Sequence, residues 1–248
     1  MLPFLRRRRR ELDAWLTQRG LTHTFCLASY LVQSGVRNHL AACAPGRVVD
    51  AGSGRGPHRA VLTEHGCDVL SLDVEDRGEG VDLIGDIQSM PDIASGSVDG
   101  VVCTQVLEHL PRPCEALSEF ARVLRPRGWL VLSVPHLSAI HEAPHDYFRY
   151  TRYGLVSMLE AQGFEALRVE ETGGLIAFLG HAASAVWLAL GASVPGFRRL
   201  AWAANYLLLV RLLAPADRWL GLPSLYPCNY VVTARRATAR PRPGETTG

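Results

Sequence analysis

The sequence of 248 residues predicts an α/β fold with a Rossmann-like, seven-stranded and mostly parallel sheet. Two observations predict it: short apolar runs alternate with helical patterns, and the first run ends in an acid followed by a glycine-rich turn. Such alternation is typical of parallel sheets that carry helices on both faces. The predicted strands are RVVDAG, CDVLSLDV, VDLIGDI, SVDGVVCTQV, GWLVLSVP, FEALRVEET and CNYVVTARR.

Helical patterns precede the first strand and separate the later ones. Pro57 suits the first turn of a helix, where its missing N–H costs nothing. Thr151 is a favourable N-cap, because its hydroxyl can accept a hydrogen bond from a free N–H of the first turn. The predicted helices cover residues 5–19, 23–43, 57–65, 115–124 and 151–162.

The chain is expected to hold one core with additions on either side. Residues 1–45 are predicted to be N-terminal helices that pack on the core, which comprises residues 46–172 and 228–236. Residues 173–227 are a helical insertion before the last strand, and residues 237–248 form a tail expected to be disordered.

Composition excludes several function classes. All 26 basic residues are arginine, which excludes lysine Schiff-base chemistry and a P-loop, and the net charge of +2 gives no reason to expect a nucleic-acid partner. The six cysteines form no CxxC pair, so a zinc ribbon or redox dithiol is not expected. Reduced cysteines in apolar runs are consistent with a cytoplasmic protein.

The N-terminal sequence MLPFLRRRRR does not resemble a signal peptide, since the arginines follow a very short apolar stretch. The chain is therefore expected to stay inside the cell. The run Arg6–Arg10 fits a solvated helix face, or alternatively a contact with anionic lipid or nucleic acid.

The turn after the first strand carries the clearest chemical signal. Asp50 is followed by three alternating glycines, Gly52, Gly54 and Gly56, and then by a helix. Glycine allows close approach of a ligand to the backbone, and the carboxyl edge of a parallel sheet is where such folds bind ligands. Asp73 ends the second strand, where a carboxylate can accept both ribose hydroxyls. Together they predict a nucleoside-containing cofactor.

The spacing of the glycines distinguishes between cofactors. A dinucleotide site has GxGxxG, whereas Gly52, Gly54 and Gly56 give GxGxG, which disfavours a nicotinamide oxidoreductase. Asp86 follows the third strand, where it could accept a hydrogen bond from an adenine amino group. With its DxGxGxG turn and VLEHL segment, the stretch 47–135 resembles the class I S-adenosylmethionine (SAM)-dependent methyltransferases, especially bacterial enzymes of small-molecule and glycan pathways.

The resemblance implies SAM as the cofactor and assigns roles to individual residues. The acid and glycines of the turn would line its methionine end, and Gln105 would face this end or the acceptor. Glu108 and His109 would hold the helix at the strand exit rather than do chemistry. The cofactor-binding residues implied are Asp50, Gly52, Gly54, Gly56, Asp73, Val74, Asp86, Ile87 and Gln105.

The loop after the fifth strand is predicted to face the methyl acceptor. Its histidines His136, His141 and His145 are candidates for a general base, because imidazole has a suitable pKa. Each could instead cap a helix or bind loop backbone. Since no helix is predicted across Pro144, we do not expect these three histidines to bind a metal.

The insertion at 173–227 contains two apolar stretches, separated and flanked by glycines and prolines that are expected to divide it into short helices. It follows a parallel strand, so we expect it to lie over the carboxyl edge of the sheet and line an acceptor pocket. Alternatives are a homodimer interface, a peripheral membrane contact at the inner face supported by tryptophans and arginines, and, least favoured, a membrane span.

The sequence thus predicts a methyltransferase acting on a small-molecule or lipid-linked acceptor, with O-methylation preferred and N- or C-methylation nearly as compatible. A catalytically inert module associated with a membrane is the alternative from another class. The intact acid–glycine turn argues against that alternative.

Overall fold

A computed structural model of the chain describes residues 11, 15–16, 19, 21, 24–76, 80–191 and 197–238. The arginine run Arg6–Arg10, most of the first predicted helix and all but the start of the predicted disordered tail lie outside these residues. The chain divides into two compact units. The first, here the helical unit, is Met1–Arg37, Pro135–Ala139 and Glu170–Tyr230, and the second, here the sheet unit, is Asn38–Val134, Ile140–Val169 and Val231–Gly248.

The predicted α/β class and the seven strands are confirmed. The strands form one sheet in the order β3-β2-β1-β4-β5-β7-β6, and the pairs β1–β2, β1–β4, β2–β3 and β4–β5 are parallel. The central strands β1, β4 and β5 are almost wholly buried, as their continuous apolar runs require. The strands are β1 Arg47–Ala51, β2 Asp68–Asp73, β3 Leu83–Ile84, β4 Val98–Thr104, β5 Leu124–Pro135, β6 Phe164–Thr172 and β7 Asn229–Arg236.

Strand β5 begins earlier than the sequence predicts. The Arg125-Pro126 pair, expected to end the preceding helix, lies inside the strand, and Leu124 pairs with Val98. An irregularity in the pairing between Val98 and Gly100 absorbs the extra residues before Trp129 pairs with Gly100. A bulge of this kind is not visible in a hydrophobic pattern, because its period belongs to regular strands.

Helices of the sheet unit follow the predicted positions within a few residues. Thr151 caps its helix as expected, since its side chain accepts a hydrogen bond from the backbone N–H of Gly154. Pro113 rather than Glu115 opens the helix before β5. These helices are α2 Arg59–Glu64, α3 Pro113–Val123 and α4 Arg152–Ala161; α1, Leu27–Leu40, begins in the helical unit and enters the sheet unit near its end.

The predicted insertion is helical, but its first helix is longer than expected. Helix α5 runs from Leu175 to Gly191 without a break at Gly180, where an added Cβ would meet nothing within 4 Å. A single interior glycine lowers helix stability without ending the helix. The remaining segments are α6 Arg198–Ala204, a π-helical segment Asn205–Arg211, α7 Leu213–Trp219 and α8 Leu222–Leu225.

Polar contacts fix the start of α5 inside the helical unit. The fully buried carboxylate of Asp217 accepts hydrogen bonds from the backbone N–H groups of Gly174 at 2.5 Å and Ile176 at 3.1 Å. These N–H groups at a helix start have no partner within the helix, so the carboxylate satisfies them.

The helical unit leaves many large apolar side chains exposed, including Trp219 at 86% and Leu225 at 70%. Within the described part of the chain, no helix combines the length and the hydropathy needed to cross a bilayer. The predicted position of the insertion over the carboxyl edge of the sheet stays a prediction.

The close contact of Gly100 with Trp129 yields a stability test. A Cβ at Gly100 would lie 2.3 Å from the Trp129 ring, whose Nε1 donates to the carbonyl oxygen of Ala44. Because the ring is buried and hydrogen-bonded, Gly100→Ala should lower the free energy of unfolding by about 1–3 kcal/mol. Gly85→Ala, where a Cβ meets no atom within 4 Å, is the control and should change it by less than about 0.5 kcal/mol in urea titrations. Equal losses for both variants would contradict the packing argument.

Candidate active site

Three glycines shape the turn between β1 and α2. Gly52, Gly54 and Gly56 have φ values of 70°, 56° and 63°, a conformation that side chains rarely adopt. A Cβ at Gly52 would lie 2.6 Å from the Val106 side chain, whereas a Cβ at Gly54 would meet nothing within 4 Å. The backbone at Gly54 is therefore open to close approach by a ligand.

Hydrogen bonds tie this turn to the neighbouring strands. The backbone N–H groups of Gly52 and Ser53 donate to the carbonyl oxygen of Leu72 in β2, at 2.8 and 3.1 Å. The buried ring of His58 lies with Nε2 2.9 Å from Oγ1 of Thr104, at the end of β4. The turn thus lies at the carboxyl ends of three adjacent strands, as the sequence predicts.

Asp73, the predicted ribose ligand, also holds the glycine turn. Its buried carboxylate accepts hydrogen bonds from the backbone N–H of Gly54 at 2.8 Å and of Glu75 at 3.3 Å. Each carboxylate oxygen can accept more than one hydrogen bond, so these contacts leave capacity for hydroxyl groups. The ribose role remains a prediction.

Asp50 is buried with one carboxylate oxygen unsatisfied. Its Oδ2 has no hydrogen-bond partner among the described residues. Burial, and then the neighbouring carboxylate of Asp73, raise the pKa of Asp50 to about 7, while Arg59 lowers it. An unpaired buried acceptor is costly, so the position fits a ligand that brings a cationic or N–H group. The amino group of SAM meets that requirement.

The segment after β3 carries the predicted adenine contacts. The N–H of Gly85 donates to the carbonyl oxygen of Asp73 at 2.8 Å, which sets the position of Asp86 beside the end of β2. The Asp86 carboxylate accepts hydrogen bonds from both the backbone and the side chain of Gln88, at 2.8 and 3.0 Å. Ile87 is buried, whereas Val74 is 64% exposed and so available to pack on a flat ligand.

Gln105 occupies a strained position at the exit of β4. Its φ of 55° is unusual for a residue with a side chain, and such outliers often occur at binding sites. Its backbone N–H and its Nε2 donate to the carbonyl and hydroxyl oxygens of Ser133, at 2.9 and 3.3 Å. The predicted residues of the sheet unit thus provide an open glycine turn and an unpaired buried acid, which suit SAM.

Glu108, predicted to hold the helix at the strand exit, has surroundings that the sequence did not indicate. It lies in the short 3₁₀ turn Leu107–His109, is fully buried, and neither carboxylate oxygen has a hydrogen-bond partner among the described residues. Its backbone carbonyl accepts hydrogen bonds from the N–H groups of Tyr147 and Phe148, at 2.8 and 3.3 Å. The feature of the sequence that could have indicated a buried acid is the glutamate that directly follows two apolar residues in VLEHL.

Two imidazoles lie beside the Glu108 carboxylate. Nε2 of His109 and Nε2 of His141 are each 3.8 Å from Oε1 of Glu108, and the two rings meet edge to face with centroids 4.8 Å apart. On its other side, Nδ1 of His141 lies 3.6 Å from Oδ2 of Asp146. Two hydrogen bonds from Arg149 hold the pKa of Asp146 well below its usual value, so this carboxylate stays charged.

The other two predicted base candidates have different surroundings. His145 is exposed, and its Nδ1 lies 3.2 Å from the hydroxyl of Tyr147. His136 lies in the helical unit, where its ring is 5.6 Å from that of Tyr230 and its backbone N–H donates to Cys228. The group of described residues able to share a metal is Glu108, His109 and His141, not the three loop histidines.

Comparison with known proteins decides the family. Residues 28–173, more than half of the chain, match the family described as "Methyltransferase domain". The chain belongs to this family. A protein of Mycolicibacterium smegmatis named as a probable SAM-dependent methyltransferase is 32% identical over 148 residues, covering 54% of this chain and 56% of the relative.

Two further matches agree with that assignment. A ubiquinone biosynthesis O-methyltransferase of Xanthomonas oryzae is 32% identical over 103 residues, 36% of this chain and 43% of that protein. The crystal structure of a Burkholderia thailandensis 1,6-didemethyltoxoflavin-N1-methyltransferase with bound S-adenosylhomocysteine has a TM-score of 0.54 at 18% identity, over 95% of this chain and 86% of that one. The chain thus has a SAM-dependent methyltransferase domain of class I fold, and it spans about half the length of the curated relatives it matches.

The Asp73 contacts yield a binding test. Asp73→Ala removes the acceptor of the Gly54 N–H together with the proposed ribose acceptor, so the affinity for S-adenosylhomocysteine should fall by about 10- to 100-fold. Asp76→Ala, an exposed acid in the same loop, is the matched control and should bind as the wild type does. Isothermal calorimetry measures both, and an unchanged affinity for Asp73→Ala would reject the ribose assignment.

The raised pKa of Asp50 yields a test of stability against pH. Because the folded-state pKa of about 7 exceeds the ordinary 3.8, the folded ligand-free protein keeps a proton that the unfolded chain releases. The resulting stabilisation is complete below the ordinary value and lost as the pH rises to about 7. Asp50→Asn should lack this loss of stability. Above pH 7 its free energy of unfolding should exceed that of the wild type by on the order of a few kcal/mol.

Urea titrations at about pH 5 and about pH 8 measure this difference. Asp68→Asn, an exposed acid at the start of β2, is the control and should follow the wild type. If the wild type and Asp50→Asn lose stability equally between the two pH values, the buried carboxylate does not carry the effect.

Proposed function

We propose that the protein transfers a methyl group from SAM to an oxygen atom of a small-molecule or lipid-linked acceptor. When bound, SAM supplies a methyl group on a positively charged sulfur. Transfer then requires an acceptor oxygen aligned with that methyl group and free of its proton. The observation that carries the proposal is the cluster of Glu108, His141 and Asp146 beside the exit of β4.

Glu108 of this cluster and Asp50 of the cofactor turn both act on the same buried residue, Cys103. Burial, and then Glu108 and Asp50, raise the pKa of the Cys103 thiol well above its usual value. Cys103 lies near the end of β4 and is completely buried. Both carboxylates thus interact electrostatically with the same thiol. Glu108 and Asp50 therefore belong to one region of the sheet unit.

Among the predicted base candidates, the surroundings of His141 best support acceptor activation. Asp146 lies on its Nδ1 side and Glu108 on its Nε2 side. Negative groups on both sides stabilise the positive charge that an imidazole gains when it takes a proton. His141 is therefore the candidate that we favour as the general base.

An oxygen acceptor is favoured by the relatives, and an apolar acceptor by the helical unit. Relatives from Xanthomonas oryzae and Dechloromonas aromatica are named ubiquinone biosynthesis O-methyltransferases. Exposed apolar side chains on α5 and on the helices after it form the kind of surface that binds lipids or lies on a membrane. We extend the proposal to a peripheral membrane contact of the insertion.

Product analysis tests the proposal. The purified protein is incubated with SAM carrying a deuterated methyl group and with lipid and polar-metabolite extracts of its host, and labelled products are identified by mass spectrometry. We expect a labelled methoxy group, recovered in the lipid fraction. Label attached to nitrogen or carbon would contradict O-methylation, and label confined to polar metabolites would contradict a lipid-linked acceptor.

Histidine variants test the acceptor side once a labelled product is known. His141→Ala should lower kcat by about 10²- to 10⁴-fold, because a group that handles the acceptor proton acts in the transition state. The affinity for S-adenosylhomocysteine should remain. His136→Ala and His145→Ala are compared with it, and His65→Ala, an exposed histidine at the end of α2, is the control. Wild-type turnover in all three loop variants would show that no histidine of this loop activates the acceptor.

A further inference from the structure

We infer that Glu108, His109 and His141 form a binding site for a divalent transition-metal ion. Each residue offers one ligand atom, and these atoms all lie within 4.8 Å of one another. The three side chains come from the β4 exit and from the loop after β5. Only one of the three loop histidines, His141, belongs to this group, and its partners Glu108 and His109 come from a different part of the sequence.

The two imidazoles are held in the orientation that metal-binding histidines adopt. Nδ1 of His109 lies 2.6 Å from the carbonyl oxygen of His145, and Nδ1 of His141 lies 3.6 Å from a carboxylate oxygen of Asp146. In both rings the Nε2 atom is therefore the one directed to Glu108. For His109, this acceptor on the distal nitrogen fixes the tautomer and makes Nε2 a better ligand. For His141, the Asp146 carboxylate is close enough to act on the ring by its charge, but it is beyond hydrogen-bond distance.

The Glu108 carboxylate supplies the independent evidence. It is completely buried, and neither oxygen has a hydrogen-bond partner among the described residues. The two Nε2 atoms are 3.8 Å from Oε1, too far for hydrogen bonds. That separation approaches the ~3.4 Å between two ligands that share a tetrahedral ion with bonds of ~2.1 Å. A cation between them would coordinate carboxylate oxygens that have no hydrogen-bond partner among the described residues.

The ligand set indicates the class of ion. Two imidazoles and one carboxylate suit Zn²⁺, Fe²⁺, Co²⁺ or Mn²⁺ and leave coordination positions open. Both histidines are only partly buried, so the open side can reach solvent or an acceptor. The consequence for turnover rests on the proposed function: where the ion is bound, His141 would be one of its ligands instead of the general base, and the ion would lower the pKa of the acceptor hydroxyl.

Metal titration of the resting protein tests the inference without any acceptor. Protein freed of metal by a chelator is titrated with Co²⁺, followed by its visible absorption, and with Zn²⁺ by calorimetry. We expect one equivalent of Co²⁺ with the bands of nitrogen and oxygen ligands. Glu108→Gln and His109→Ala should weaken binding by more than the ~10- to 100-fold typical of losing a group that only supports a ligand. His65→Ala, which removes an exposed histidine elsewhere, should bind as the wild type does.

Binding of S-adenosylhomocysteine by each variant shows that it is folded. Three outcomes would overturn the inference: no stoichiometric binding, equal affinity in Glu108→Gln, or the thiolate charge-transfer bands that binding to one of the free cysteines would give. The proposed function would survive these outcomes if labelled methoxy product still formed. Stoichiometric binding without any O-methylated product would support the metal site and contradict the proposed function alone.

Discussion

The N–H of Gly54 points at the carboxylate of Asp73 across 2.8 Å, and this contact joins the two chain segments on which the cofactor site depends. Gly54 lies in a turn with three positive φ values, and its N–H donates to a side chain, whereas the N–H groups of Gly52 and Ser53 donate to a carbonyl oxygen of β2. A carboxylate at the end of the adjacent parallel strand supplies one partner and fixes the turn relative to β2. The same Asp73, through its carbonyl oxygen, positions the segment that carries Asp86.

The contact between Gly54 and Asp73 also affects the buried carboxylates at the carboxyl edge of the sheet. Burial at the end of β1 raises the pKa of Asp50, and the charge of Asp73, which is held against the glycine turn, raises it further. A second buried carboxylate, Glu108, lies past the end of β4. Burying acids without partners is costly, so a chain that does so at the carboxyl edge of its sheet is organised around positively charged ligands. A cofactor amino group would meet one of these acids, and the proposed metal ion would meet the other.

The residues predicted to bind the cofactor could be identified from the sequence because they lie at the ends of neighbouring strands. Asp50, the three glycines and Asp73 lie at ends of strands that apolar runs identify, and backbone geometry brings them together in any sheet of this order. The start of β5 was predicted wrongly because a bulge does not follow strand periodicity. The unbroken helix α5 was missed because the glycines and prolines of the insertion were expected to divide it into short helices, whereas Gly180 is tolerated inside the helix.

The contacts on the acceptor side of the site could not be predicted in the same detail, since they join Glu108 to a loop that is distant in sequence. Glu108 acquires its surroundings only when the loop after β5 folds back, with two backbone hydrogen bonds to the Glu108 carbonyl and a bond from the Tyr150 hydroxyl to the carbonyl of Leu107. No periodic pattern encodes such a contact.

The hydrogen bonds from the loop to the carbonyl oxygens of Leu107 and Glu108 also fix the position of the loop. They fasten the segment that holds His141 to the turn that follows Gln105, whose own backbone is fixed to Ser133 in β5. The histidine proposed to face the acceptor and the glutamine predicted to face the cofactor therefore share one hydrogen-bonded support. Alignment of an acceptor with a methyl group tolerates little displacement. A support of this kind would hold the acceptor side and the cofactor side of the reaction in a fixed relative position.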